Sequence, residues 1–82
     1  MIIVPGIHVK IFAEINASSR TKNRLIERGK SGFTVKQVSE SVSALGNRPA
    51  ILVMSISDMD AGREPWIGWL PRDEIDVTWW EV

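Results

Sequence analysis

Apolar and polar residues alternate in several short stretches of this chain, a pattern typical of β-strands with one buried face. In residues 7 to 15 every second residue is apolar, which predicts a first strand with one buried row. Residues 49 to 56 form the most apolar stretch and predict a central strand, and two final strands flank residues 71 to 75. The predicted fold class is therefore all-β.

The segment that follows the first strand is less regular. Residues 24 to 28 fit either a strand or one helical turn ended by Gly29. The glycine-rich residues 29 to 32 favour the strand, because a turn there would lead into the β-branched residues 33 to 39 as a hairpin.

At most one short helix is expected, in the first long loop. It would lie within residues 17 to 28, where Ser18 or Ser19 could accept a hydrogen bond from the first helical turn. Residues 39 to 48 are predicted to form a polar loop, and residues 57 to 64 an acidic turn.

Composition narrows the class of protein. The chain has 82 residues without a linker or repeat, so a single domain over residues 1 to 82 is expected. On folding, a chain of this size buries only about 60% of the surface that the unfolded chain exposes to water. This small core favours a binding surface over a deep catalytic cleft. Its apolar runs are too short to span a membrane and its first residues lack the pattern of a signal peptide. A cytoplasmic protein without membrane association is predicted.

Cysteine is absent and His8 is the only histidine. Disulfides and thiolate chemistry are therefore excluded, and a structural zinc site lacks its usual ligands. We expect neither a metal nor a cofactor.

The net charge of zero hides an asymmetry. Residues 20 to 36 contain six basic residues against one acidic residue, a balance of +5, and residues 58 to 82 contain seven acidic residues against two basic ones, a balance of −5. In one interpretation the two segments are solvated loops that attract each other in the fold. In the other, the basic segment binds an anionic partner.

The end of the chain carries a family resemblance. Residues 68 to 77, which read Gly-Trp-Leu-Pro-Arg-Asp-Glu-Ile-Asp-Val, resemble the part of an SH3-like barrel where a strand runs through proline into a 3₁₀ turn and a last strand. Residues 28 to 35 resemble the basic, glycine-containing hairpin of KOW-type SH3-like domains, which contact RNA or RNA polymerase machinery. The resemblance implies a small five-stranded SH3-like barrel, as in bacterial or phage SH3-like domains. Glu74 replaces a tyrosine of the peptide-binding groove, so the resemblance does not extend to proline-rich peptides.

All four tryptophans lie between residues 66 and 80. If Leu70 packs inward, as the resemblance implies, strand alternation places Trp66 on the buried face and Trp69 on the outer face. After the turn, alternation places Trp79 in the buried row and Trp80 in the row that faces water. Trp69 and Trp80 are therefore predicted to form an exposed aromatic pair near the turn.

Motifs that would indicate phosphate or calcium binding fail on their spacing. Residues 29 to 31 match the end of a P-loop, but Arg24 stands where that loop needs a glycine. Residues 58 to 62 resemble the start of a calcium loop, yet the glycine comes one position early and the twelfth position is Trp69.

No set of residues predicts an enzyme. His8 lies in the polar row of the first strand and is predicted to be exposed without a role. The carboxylates beside the last turn are predicted to be solvated, with ordinary pKa values; they are Asp73, Glu74 and Asp76.

The favoured function is non-enzymatic binding to a larger protein, as an adaptor, an assembly subunit or an inhibitor, possibilities that include a protein of a phage or mobile element. The predicted partner-binding residues surround the last turn and are Trp69, Pro71, Glu74 and Trp80. Such a module is also compatible with homo-oligomers.

The alternative is an RNA- or DNA-binding module that uses the basic segment. Its candidate residues are Arg20, Lys22, Arg24, Arg28 and Lys30, with Phe33 as a stacking residue. The zero net charge argues against this alternative, because nucleic-acid-binding domains are usually basic.

Overall fold

The computed structural model describes residues 2 to 29 and 32 to 80, except for the side chains of residues 59 and 60. Its strands are β1 (His8–Ala13), β2 (Phe33–Val42), β3 (Arg48–Ser55), β4 (Ile67–Pro71) and β5 (Ile75–Trp79). They form one antiparallel sheet in the order β4-β3-β2-β1-β5. The predicted all-β class with five strands is confirmed.

Short helices connect some of the strands. They are the α-helices α1 (Ser19–Arg28) and α2 (Ile56–Asp60) and the 3₁₀ turns η1 (Ser43–Leu45) and η2 (Arg72–Glu74). The helix expected in the first long loop is thus present, whereas α2 replaces part of the predicted acidic turn and exceeds the single helix expected. The region predicted as a polar loop is divided between the end of β2, η1 and the start of β3.

The strand favoured for residues 24 to 28 is wrong, because this segment is the second half of α1. The Ser18 side chain accepts a hydrogen bond from the Thr21 N–H at 3.3 Å and caps the helix. Thr21 and Leu25, four residues apart on one helix face, are both buried. The Gly29 N–H donates to the Leu25 carbonyl where the helix ends, so the predicted hairpin does not form.

One hydrophobic core lies between the sheet and α1. Its members come from all five strands and from the buried face of α1, and they are Val9, Ile11, Leu25, Phe33, Val35, Ile51, Val53, Leu70 and Ile75. The predicted inward position of Leu70 is confirmed. The buried row predicted for the first strand stops early, since β1 ends at Ala13 and Ile15 is 94% exposed in the following turn.

Asp58 anchors α2 to the rest of the domain. Its carboxylate is buried and accepts hydrogen bonds from the Arg28 guanidinium at 3.0 Å and from the Ser55 hydroxyl, and it forms an ion pair with Arg63. The Ser55 hydroxyl above all, with the Trp66 N–H and Arg28, lowers the pKa of Asp58 against the opposing effect of burial. These partners explain why an acidic segment folds back onto the domain.

The sheet has two edge strands, β4 and β5, and η2 connects them. β5 pairs with β1 on its inner side, and β4 pairs with β3. No helix in the described part of the chain is long and apolar enough to cross a membrane.

Candidate functional site: the groove beside β4

A groove of about 420 Å³ lies beside β4. All five residues of β4 line it, together with Arg20, Thr21 and Arg24 of α1 and Leu45 of η1. Arg48 and Glu74 also belong to its lining. We call this concave surface the β4 groove.

Trp66 connects the β4 groove to the core. Its ring meets the Phe33 ring edge-to-face, with centroids 6.4 Å apart, and the Arg24 guanidinium lies 4.9 Å from the Trp66 ring centroid. The Trp66 ring also covers Gly68, where a Cβ atom would come within 2.2 Å of Cζ2. Only glycine at this position leaves room for the ring, so Gly68 allows an aromatic, positively charged surface to form here.

The Glu74 side chain, on η2, contacts both β3 and the residue before α1 at the same groove. Its carboxylate accepts hydrogen bonds from the Ser18 N–H, just before α1, and from Arg48 Nη2 of β3 at 2.8 Å. Arg48 also forms an ion pair with Asp73. The Ser18 N–H, and then Arg48, lower the pKa of Glu74 from 4.5 to about 2 although burial opposes the shift. The expectation that the Glu74 carboxylate is solvated with an ordinary pKa is therefore wrong.

The Glu74 contacts predict a pH-dependent stability. Because the folded state lowers the Glu74 pKa, this carboxylate stabilises the fold above pH 4.5 and loses that effect as the pH falls toward about 2. We expect Glu74→Gln to melt at a lower temperature than the parent protein at neutral pH. The difference between the two melting temperatures should vanish as the pH approaches about 2. Thermal melts of both proteins across this range test the prediction. A difference that does not change with pH would contradict it.

The structure brings together three of the four residues predicted to bind a protein partner. Trp69, Pro71 and Glu74 line the β4 groove, and Trp80 does not. Trp80 instead stacks on His8, with ring centroids 4.9 Å apart and planes 1° apart, and Lys10 Nζ lies 5.1 Å from its ring centroid. The predicted exposed pair of Trp69 and Trp80 does not form, and His8 has a packing role that its position in the sequence did not indicate.

Trp79 also differs from its predicted position. It is 54% exposed, although strand alternation placed it in the buried row with Ile75. Ile75 is buried as predicted. Trp79 is the last residue of an edge strand, where the sheet provides no further strand beside it, so alternation alone does not bury a ring of this size.

The basic segment does not form one continuous surface. Phe33, predicted as a stacking residue, is fully buried in the core and presents no ring to a base, so that prediction is wrong. Arg28 is occupied by its ion pair with Asp58. Lys30 lies outside the described residues.

The other basic residues predicted to bind nucleic acid belong to α1. Arg20 and Arg24 line the β4 groove, whereas Lys22 Nζ donates to the Ile15 carbonyl at 3.2 Å. Two residues from the predicted nucleic-acid set thus join the site predicted for a protein partner. Their spacing of four residues is a helical signal, which the strand interpretation of this segment obscured.

Arg48 was not among the predicted site residues. It lies at the start of β3 and reaches η2, a contact across 26 residues of sequence that no local pattern indicates. Within the described residues, no group of three or more acidic or histidine side chains is arranged to hold a metal ion. The β4 groove therefore combines aromatic, proline and guanidinium groups suited to binding.

Comparison with known proteins found no matching family, curated protein or solved structure.

Proposed function

We propose that this protein is a non-enzymatic module that binds a protein partner through the β4 groove. The observation that carries the proposal is the convergence of Trp69, Pro71 and Glu74 with Arg20 and Arg24 on one concave surface. Aromatic and arginine side chains supply much of the binding energy at protein interfaces, because they bury large areas and form directed polar contacts.

We also propose that the domain is related in architecture to SH3-like barrels. Two features support this relationship: the last strand pairs with the first, and the 3₁₀ turn η2 follows Pro71 directly. The resemblance to a KOW-type hairpin has less support, because residues 24 to 28 are helical. Fold similarity does not define an activity, so the proposed function depends on the groove itself.

Nucleic acid is the less supported ligand. A single-strand-binding surface combines a continuous basic track with exposed aromatic rings. Here Phe33 is buried, Arg28 is paired with Asp58, and the aromatic ring beside Arg24 is the half-buried Trp66. These contacts favour a protein partner over RNA or DNA.

Site-specific photo-crosslinking tests the proposed function. Ile67 lines the groove and is 53% exposed, and Trp79 lies outside the groove and is 54% exposed. We expect benzoylphenylalanine at position 67 to crosslink a discrete protein partner in native cell extract, and the same group at position 79 to give no such product. Because the two positions are equally exposed, non-specific crosslinking should affect both to the same extent. Crosslinking of the partner from position 79 alone would overturn the proposed site.

A further inference from the structure

The outer edge of β4 presents a defined set of backbone groups. In an antiparallel pair, residues alternate between those that hydrogen-bond to the neighbouring strand and those whose N–H and C=O point away from it. The Ser55 N–H donates to the Trp66 carbonyl at 2.9 Å, which sets this alternation for β3 and β4. Gly68 and Leu70 therefore bond to β3, and Ile67 and Trp69 direct their backbone groups toward the open edge.

These outward groups have no partner in the described part of the chain. No other element there donates to or accepts from the backbone of Ile67 or Trp69. Pro71 has no N–H, so it ends the outward series at one end. Since every residue of β4 lines the β4 groove, the groove gives access to an unpaired strand edge.

The charge of the same groove favours an acidic ligand. Arg20 and Arg24 line it, and no acidic side chain among the described residues forms an ion pair with either of them. Among the described residues that line the groove, Glu74 is the one carboxylate, and it is already bound to Ser18 and Arg48. The positive charge of the two arginines is therefore available to a partner.

We propose that the β4 groove binds an extended acidic segment of the partner protein, which adds to the sheet as a sixth strand at the edge of β4. The backbone of the segment pairs with Ile67 and Trp69, and its carboxylates meet Arg20 and Arg24. This inference rests on the proposed function and specifies the chemistry of the partner.

A second copy of this chain fits the edge less well. β4 contains no charged residue, so a β4 strand from another copy would bring no carboxylate to Arg20 and Arg24. Pairing two β4 edges would also bring the arginines of both grooves closer together, and like charges repel.

Selection from a displayed library of short random linear peptides tests the inference. We expect enrichment of acidic sequences that favour extended structure. In the complex with a selected peptide, amide exchange at Ile67 and Trp69 should slow by at least about tenfold, since new hydrogen bonds protect these N–H groups. Failure to enrich acidic peptides, or binding without protection of these two amides, would overturn the proposal.

Matched variants separate backbone pairing from side-chain contact. Ile67→Pro removes one outward N–H without removing a bond to β3, and Ile67→Ala keeps that N–H. We expect the first to weaken peptide binding by at least about tenfold more than the second. If Ile67→Pro does not fold, a peptide with methylated backbone nitrogens provides the same test from the ligand side, and unchanged affinity for that peptide would contradict strand addition.

Charge is tested independently with Arg20→Glu, using Lys36→Glu as the control because Lys36 is exposed on β2 outside the groove. We expect only Arg20→Glu to weaken peptide binding, by at least about tenfold. Equal effects of the two variants would refute a local contact.

Suppose that a partner crosslinks from position 67 but that its binding leaves the Ile67 and Trp69 amides unprotected. This result would refute strand addition while retaining the proposed function. Light scattering that detects a dimer with protected β4 amides would assign the edge to a second copy instead.

Discussion

Asp58→Ala is expected to lower the melting temperature by roughly 10 °C or more. The substitution leaves the Arg28 guanidinium without its buried carboxylate partner, and the Nε atom of Arg28 is already buried without a hydrogen bond. The Ser55 hydroxyl and the Trp66 N–H lose an acceptor at the same time. Unpaired polar groups in a buried position are costly, so several elements should loosen together.

Asp76→Ala is the matched control for this prediction. Asp76 is an exposed carboxylate on β5, and its removal should change the melting temperature by only a few degrees at most. Thermal melts followed by circular dichroism measure both variants under one condition. Equal melting temperatures for the Asp58 and Asp76 variants would show that the buried network does not stabilise the domain.

The strands could be predicted from sequence because their signal is local. Alternation and apolar runs predict β1, β3, β4 and β5, and β-branched residues predict β2. The inward position of Leu70 is implied by the resemblance to SH3-like barrels. The sequence predicts at most one short helix within residues 17 to 28, and α1 lies there, but the strand predicted for residues 24 to 28 is the second half of that helix. The decisive features are the Ser18 cap and the buried pair of Thr21 and Leu25, which outweigh the glycines that suggested a hairpin.

The site could be predicted only in part. Tryptophan clustering and the proline turn indicated Trp69, Pro71 and Glu74, because these residues are close in sequence. The contribution of Arg48 and the role of Asp58 depend on ion pairs between distant segments, which single-sequence patterns do not specify.

The positions of Trp79 and Trp80 show that strand alternation alone does not predict whether a side chain is exposed. Alternation states which side of the sheet a residue faces, but it does not state whether anything covers that side. Trp79 lies at the end of an edge strand and remains exposed, whereas Trp80 lies just beyond the strand and stacks on His8. Their order of exposure is therefore the reverse of the prediction.

Trp69→Ala is expected to reduce partner affinity by about 30-fold or more, equivalent to about 2 kcal/mol, without unfolding the domain. Trp69 lines the β4 groove and lies outside the core cluster, so its removal takes away contact area for a partner but leaves the packing around Phe33 and Leu70 in place. Its melting temperature should remain near that of the parent.

Trp79→Ala provides a control with the same side chain removed from an exposed position outside the groove. Isothermal titration of the partner captured from position 67 against the parent, Trp69→Ala and Trp79→Ala proteins measures whether the β4 groove binds this partner. The proposed function predicts strong weakening for Trp69→Ala and parent-like affinity for Trp79→Ala. Parent-like affinity for a folded Trp69→Ala protein, together with weakening for Trp79→Ala, would contradict it and place the interface on β5.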